Sequence, residues 1–154
     1  MNADILNAFL RATANIVSRE AKVSVRRSGL LLDPTDQVTD EVTVYVALVG
    51  TTRGMTLLGM ATNTARQIAS AMIGEPQSEL NEMGLSALAE LGNLIAGGAT
   101  VELERLGLQT DITPPTIMIG QKARLSTLAL PRFVIPLNSP YGPLHLHVAV
   151  DVMR

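Results

Sequence analysis

Apolar residues recur with a helical period at Ile5, Leu6, Phe9, Ala12, Ile16 and Val17. A first helix is therefore predicted, capped by Asn2 or Asp4 and running to about Glu20. The pattern then shortens to that of strands. Val23 to Leu32 alternates imperfectly, and Asp33-Pro34-Thr35-Asp36 supplies a turn. Val38 to Val49 sets Val42, Val44, Val46 and Leu48 against Thr43, Tyr45, Ala47 and Val49, a second face apolar enough to predict a strand covered on both sides. Gly50 to Gly54 turns the chain into a third strand, Met55 to Ala61. Thr62 is the predicted cap of a short helix over 63–73, stopped by Gly74 and Pro76. Ser78 is the predicted start of a long helix, with Glu79 and Glu82 near its positive end, that runs to about Leu106 and stops at Gly107. Ile117 to Gly120, Leu125 to Leu137 and Leu144 to Val152 read as further strands. In the last of these Leu144, Leu146, Val148, Val150 and Val152 alternate with His145, His147, Ala149 and Asp151.

A helix and three strands are thus followed, after a short helix, by a helix and three more strands. Gly54 and Gly142 precede the third strand of each half, and Asn15 lies in the first helix where Asn93 lies in the second. The expected architecture is a single α+β domain over residues 1–154, with a pseudo-two-fold internal repeat and a central sheet packed on long helices. The position matching Glu90 in the first half is Ala12, so only the second half carries a complete Glu and Asn pair.

Composition narrows the function. Hydrophobic residues make up 47% of the chain and charged residues 17%, which fits a folded domain. Aromatic residues are only 3%, without Trp, and the net charge is −2, so neither base stacking nor a phosphate-binding basic face is expected. Arg26 and Arg27 read as a solvated strand end. The absence of Cys removes disulfides, thiolate metal sites and cysteine nucleophiles. No apolar run is long enough for a membrane span, and the first residues lack the basic stretch and cleavage site of a signal peptide, so a soluble, cytoplasmic protein is expected. His145 and His147 have no accompanying carboxylate or Cys pattern and read as solvent-facing strand residues, not metal ligands. No Gly-rich loop precedes a Lys, which argues against a nucleotide site.

The stretch Leu85 to Gly98, LSALAELGNLIAGG, presents two different faces. At about 100° per residue, Leu88, Leu91 and Ile95 form an apolar stripe, while Ser86, Glu90, Asn93 and Gly97 gather within roughly 60° on the other side. Gly92 points toward the core side, where helix packing explains it; Gly97 lies on the polar side, where packing explains it less well. A Glu and an Asn one turn apart on such a face are compatible with simple solvation or with a partner surface. The amide of Asn has no useful pKa and is no general base, but it can orient a water.

The run from Leu85 to Asn93, followed by Ala96-Gly97, Leu106-Gly107 and Asp111-Ile112-Thr113-Pro114-Pro115-Thr116, resembles the CheX branch of the CheC/CheX/FliY phosphatases. That family's core motif is a Ser or Asp, three residues, Glu, two residues, Asn, and a Pro some twenty residues on. Ser86, Glu90, Asn93 and Pro115 occupy those places. The resemblance implies a CheC-like fold and a phosphatase acting on the aspartyl phosphate of a CheY-like response regulator. Asn93 would align the attacking water and Glu90 would pair with a regulator Lys, with Ser86 and Gly97 bordering the contact. The Pro114-Pro115 step is expected to redirect the chain after the helix, a structural role. Mg²⁺ would belong to the regulator, the chain would need no cofactor of its own, and a homodimer is expected. A single Glu and Asn pair fits the CheX branch better than CheC-like relatives with two, leaving Asn15 structural or vestigial. The competing expectation is a non-catalytic regulator-binding or flagellar-switch-type scaffold.

Overall fold

A computed structural model of the chain describes residues 2–32, 40–120 and 130–153. Eleven elements follow one another: α1 (Ala3–Ala21), β1 (Arg26–Arg27), β2 (Leu31–Leu32), β3 (Val42–Gly50), β4 (Thr52–Met60), α2 (Thr62–Ile73), α3 (Glu82–Arg105), β5 (Thr110–Ile112), β6 (Thr116–Ile119), β7 (Phe133–Asn138) and β8 (Leu144–Val152). The strands form one antiparallel sheet in the order β1-β7-β8-β4-β3-β5, with β2 beside β7 and β6 beside β3. β4 and β8 pair along their whole length at the centre, from Thr52 opposite Val152 to Met60 opposite Leu144. From that pair outward the order reads β3 then β5 and β6 on one side, β7 then β1 and β2 on the other. β5 and β6 thus border β3, while β1 and β2 border β7.

One sheet face carries the helices. Val42, Val44, Leu48, Leu58, Met60, Leu144, Leu146, Val148 and Ile135 are buried on it. They meet Phe9, Ile16 and Val17 of α1, Ile68 of α2, and Leu88, Leu91 and Ile95 of α3. Burying each such side chain contributes roughly 1.5–3 kcal/mol.

Element identities match the sequence pattern better than their starts do. Asn2 caps α1, its Oδ1 accepting from the Ile5 N–H at 2.9 Å. Thr62 does not cap α2: it is the first helical residue, after Ala61, and its N–H donates to Glu41 Oε1 at 3.1 Å. The capping oxygen thus comes from a residue far away in sequence. Ser78 does not open α3 either. Asn81 caps it, with Oδ1 accepting from the Gly84 N–H at 3.0 Å, and Glu82 lies in the first turn. The helix ends at Arg105 with Gly107 at φ +82°, as its sequence predicts. Val23 to Leu32 yields only two short strand pieces, β1 and β2, consistent with its broken alternation. β5 was not expected at all. The predicted turn at 33–36, positions 38 and 39, and positions 125–129 of the predicted strand lie outside the described residues.

The two histidines also differ from expectation. His147 is 2% exposed, between Leu57 of β4 and Val134 of β7 on the sheet face away from the helices. The leucine-and-histidine alternation of β8 suggested one wet face, yet a central strand is enclosed on both. Burial, reinforced by the nearby Arg132 charge, pushes the His147 pKa down to about 4, and among the described residues its Nδ1 has no hydrogen-bond partner. His145 is half-buried and bonds through Nδ1 to Asp40 Oδ2 at 2.8 Å. That hydrogen bond raises its pKa against the opposing effect of burial. Gly59, opposite His145, leaves room for the carboxylate, since a Cβ there would lie 2.5 Å from Asp40 Oδ2.

His147 is neutral in the fold but takes up a proton once unfolded below about pH 6.5. Stability is then fully present above that pH and is lost as pH falls toward about 4, by roughly 3 kcal/mol from this group. The Asp40–His145 pair acts with the opposite sign, its contribution being lost as pH rises through the raised pKa of His145. Urea unfolding between pH 7 and 4.5 is expected to show a declining midpoint in the wild type and a much flatter one in His147→Leu.

Candidate functional site

The site begins with how firmly α3 is seated. Leu88, Leu91 and Ile95 anchor its core side. Gly92 lies over β3, where a Cβ would collide with the Val44 side chain, and a Cβ on Gly98 would sit 3.4 Å from that of Ala12 on α1. The packing reading of Gly92 therefore holds. Arg11 of α1 bonds Glu102 of α3 through Nε at 2.8 Å, adding a lateral tie. With the core side fixed, the opposite side has only one orientation available.

That side forms one wall of an open cleft of about 560 Å³. Ser86, Ala89, Glu90 and Asn93 line it from α3, and Ile112, Thr113, Pro114 and Pro115 line it from the segment joining β5 to β6. Ser86 and Glu90 are exposed, and Asn93 is half-buried. Among the described residues, neither the Glu90 carboxylate nor the Asn93 carboxamide has a hydrogen-bond or ion-pair partner. Two polar groups one turn apart, about 4.5 Å in axial rise, thus point into shared space with their bonding capacity free.

Gly97 lies one turn beyond, outside this lining. Among the described residues nothing stands within 4 Å of where its Cβ would be, so their packing does not require a glycine there. A second concavity of about 400 Å³ continues along the helix, between Thr100, Val101 and Glu104 on one side and Gly50, Thr51, Gln109, Thr110 and Asp111 on the other. Among the described residues, Glu90, Glu104 and Asp111 are the ionisable members of the two linings, with no Lys, Arg or His.

The structure therefore brings together Ser86, Glu90, Asn93 and Pro115 and leaves Gly97 beside them. The wall residues Ile112 and Thr113 were not singled out from sequence, although the Asp-Ile-Thr-Pro-Pro-Thr run that holds them was. His145 and His147 lie across the sheet from α3, with no role in the cleft. Among the described residues no group of three or more His, Cys, Asp or Glu gathers as metal ligands, and no helix is long and apolar enough to cross a membrane.

The family model for the chemotaxis phosphatase CheX matches residues 42–138. The chain belongs to the CheX family. The match runs from β3 to the end of β7 and so contains both walls of the cleft. A curated CheX relative, the CheY-P phosphatase of Thermotoga maritima, is 27% identical over 131 residues, covering 84% of each chain. Two solved structures share the fold at lower identity. A CheC-like superfamily protein from Shewanella superposes with a TM-score of 0.90 at 22% identity, over 98% of this chain and 99% of its own. The CheX of a CheX–CheY–BeF3–Mg²⁺ complex from Borrelia burgdorferi gives 0.84 at 24%, over 97% and 99%.

Two of the four glycines of α3, Gly92 and Gly97, should respond oppositely to alanine. Gly92→Ala is expected to destabilise by about 1–3 kcal/mol, because the new methyl must displace Val44. Gly97→Ala is expected to stabilise by roughly 0.5–1 kcal/mol through helix propensity, since its methyl meets nothing. Chemical denaturation of both variants, against the wild type, checks the pair.

Proposed function

We propose that this CheX family member hydrolyses the aspartyl phosphate of a CheY-like response regulator, with Asn93 aligning the water and Glu90 docking on a regulator Lys. The observation that carries this reading is the cleft itself, where the Asn93 carboxamide and the Glu90 carboxylate stand side by side on α3, without a partner among the described residues. The regulator's phosphorylated loop enters against Ser86 and Ala89, with Pro114 and Pro115 opposite. The carboxamide oxygen of Asn93 accepts a hydrogen bond from a water and holds its oxygen in line with the phosphorus. A bond forms from that oxygen to phosphorus as the bond to the aspartyl oxygen breaks, releasing inorganic phosphate and the free regulator carboxylate. Phosphoryl transfer through a loose transition state asks mainly for position and charge stabilisation, so an amide without a useful pKa suffices. The regulator's own Mg²⁺ supplies the charge, and this chain needs no cofactor. Gly97 lets the regulator's backbone approach α3 closely. The Thermotoga relative's name and the Borrelia complex of CheX with CheY, BeF3 and Mg²⁺ support the choice of partner.

The proposed working form is a cytoplasmic homodimer. The sheet edge at β2 supports it, because Leu31 and Leu32 are 49% and 62% exposed beside an exposed Leu30. Sedimentation of the wild type is expected to give a dimer, and Leu31→Asp with Leu32→Asp a monomer.

The decisive experiment is loss of phosphate from a phosphorylated CheY-type regulator with this protein substoichiometric. Asn93→Ala is expected to slow catalysed loss by about 100-fold or more while leaving regulator affinity within a few-fold. Glu90→Ala is expected to weaken regulator binding about tenfold, an effect that shrinks as salt is raised. Turnover that survives Asn93→Ala would rule the mechanism out, and binding without any acceleration would indicate a scaffold.

A further inference from the structure

The wall that faces Asn93 exists because the strand pairing beside it slips by one residue. β5 pairs with β3 as Leu48 opposite Ile112, and β6 pairs with β3 as Tyr45 opposite Thr116. Three steps along β3 thus face four steps from Ile112 to Thr116, so one extra residue is accommodated in a bulge. The bulge consists of Thr113, Pro114 and Pro115, and the two prolines have no N–H to donate. On β3 the groups left facing it are the N–H and C=O of Ala47. Thr113 satisfies both: its Oγ1 accepts from the Ala47 N–H at 3.0 Å, and its own N–H donates to the Ala47 carbonyl at 3.0 Å. A side chain has replaced one rung of the backbone ladder. The Pro-Pro step immediately beyond is thrown out of the sheet and becomes the cleft wall.

We propose that Thr113 is a positioning residue for docking in this cleft, because its two bonds to Ala47 set where the Pro114–Pro115 wall stands relative to Glu90 and Asn93. The proposal rests on the phosphatase reading for its consequence but not for its geometry. Val in place of Thr113 keeps the β-branched shape and leaves the Ala47 N–H without an acceptor; Ser keeps the acceptor. Because Asn93 sits on α3 and not on the wall, loosening the wall impairs capture of the regulator and spares the chemical step.

Steady-state dephosphorylation is expected to show KM for the phosphorylated regulator raised about tenfold in Thr113→Val, with kcat within about twofold. Thr113→Ser is expected to restore KM. A hydroxyl that merely stabilises the fold lowers the melting temperature and the active fraction, hence the apparent kcat, and leaves KM alone. Thr64→Val provides that comparison, since it removes a hydroxyl bonded to the Tyr141 carbonyl at 2.8 Å on α2, away from the cleft. An unchanged KM in Thr113→Val overturns the proposal. If the wild type does not accelerate phosphate loss, the phosphatase reading fails, and Thr113 is then judged on the protein alone. In that case NMR signals of Ile112, Thr116 and the Asn93 side-chain amide are expected to move in Thr113→Val and return in Thr113→Ser. Signals that stay in place overturn the positioning role.

Discussion

The close approach of α3 to the sheet is the constraint on which the rest depends. A helix normally stands off a sheet by the thickness of its side chains, and at Gly92 that layer is missing, so Val44 occupies the space where a Cβ would be. Gly98 brings the same helix close to Ala12 on α1. The first contact is the tight one, and in a close-packed interior rotation of α3 about its axis would drive a side chain into Val44. Its outward face is therefore fixed as firmly as its inward one. Glu90 and Asn93, which on an ordinary surface helix would sample many orientations, are presented from a platform that has one.

Both walls of the cleft are referenced to the same strand. β3 supports α3 through the Val44 side chain, and three residues further on it holds the Pro114–Pro115 wall through the backbone of Ala47. Strand β3 is itself paired along most of its length with β4, which pairs along its whole length with β8. The distance between the helix wall and the bulge wall is thus set by the stiffest part of the molecule. A cleft built on loops alone would open and close with them. Here only the bulge is irregular, and a hydroxyl fastens it.

Much of this was legible in the sequence, and what was not has identifiable causes. The two faces of α3 follow from a 3.6-residue period that tertiary structure does not disturb, so Ser86, Glu90 and Asn93 emerge together in the cleft as their spacing implies. The Gly92 packing contact was readable for the same reason. Caps were less readable because the competing partners are not local: the Thr62 N–H goes to Glu41, which no window around Thr62 contains. Ser78 lost to Asn81 because both are good caps and only the fold selects between them. His147 was misread because period-two alternation reports residue chemistry, while burial of a central strand depends on what covers the second face. The bulge was hidden for a similar reason. The Pro114-Pro115 step marks a redirection of the chain, but that Thr113 bridges a break in strand pairing there is a property of its neighbour strand.

The electrostatics of the cleft favour one kind of substrate on the proposed reading. Among the described residues Glu90 is the ionisable member of its lining, and Glu104 and Asp111 lie in the adjoining concavity. Among the described lining residues, a free phosphate ester would meet carboxylates and no cation to neutralise its developing charge. The same surface attracts a partner that brings its own positive groups around the phosphoryl: a Lys for Glu90 to pair with, and a divalent cation already bound. On the proposed reading, selectivity arises from what the described lining leaves to the partner. A catalytic surface with an Arg or Lys beside Asn93 would bind many phosphorylated molecules, whereas one that offers an amide and a carboxylate can act only where the remaining half of the active site is delivered to it.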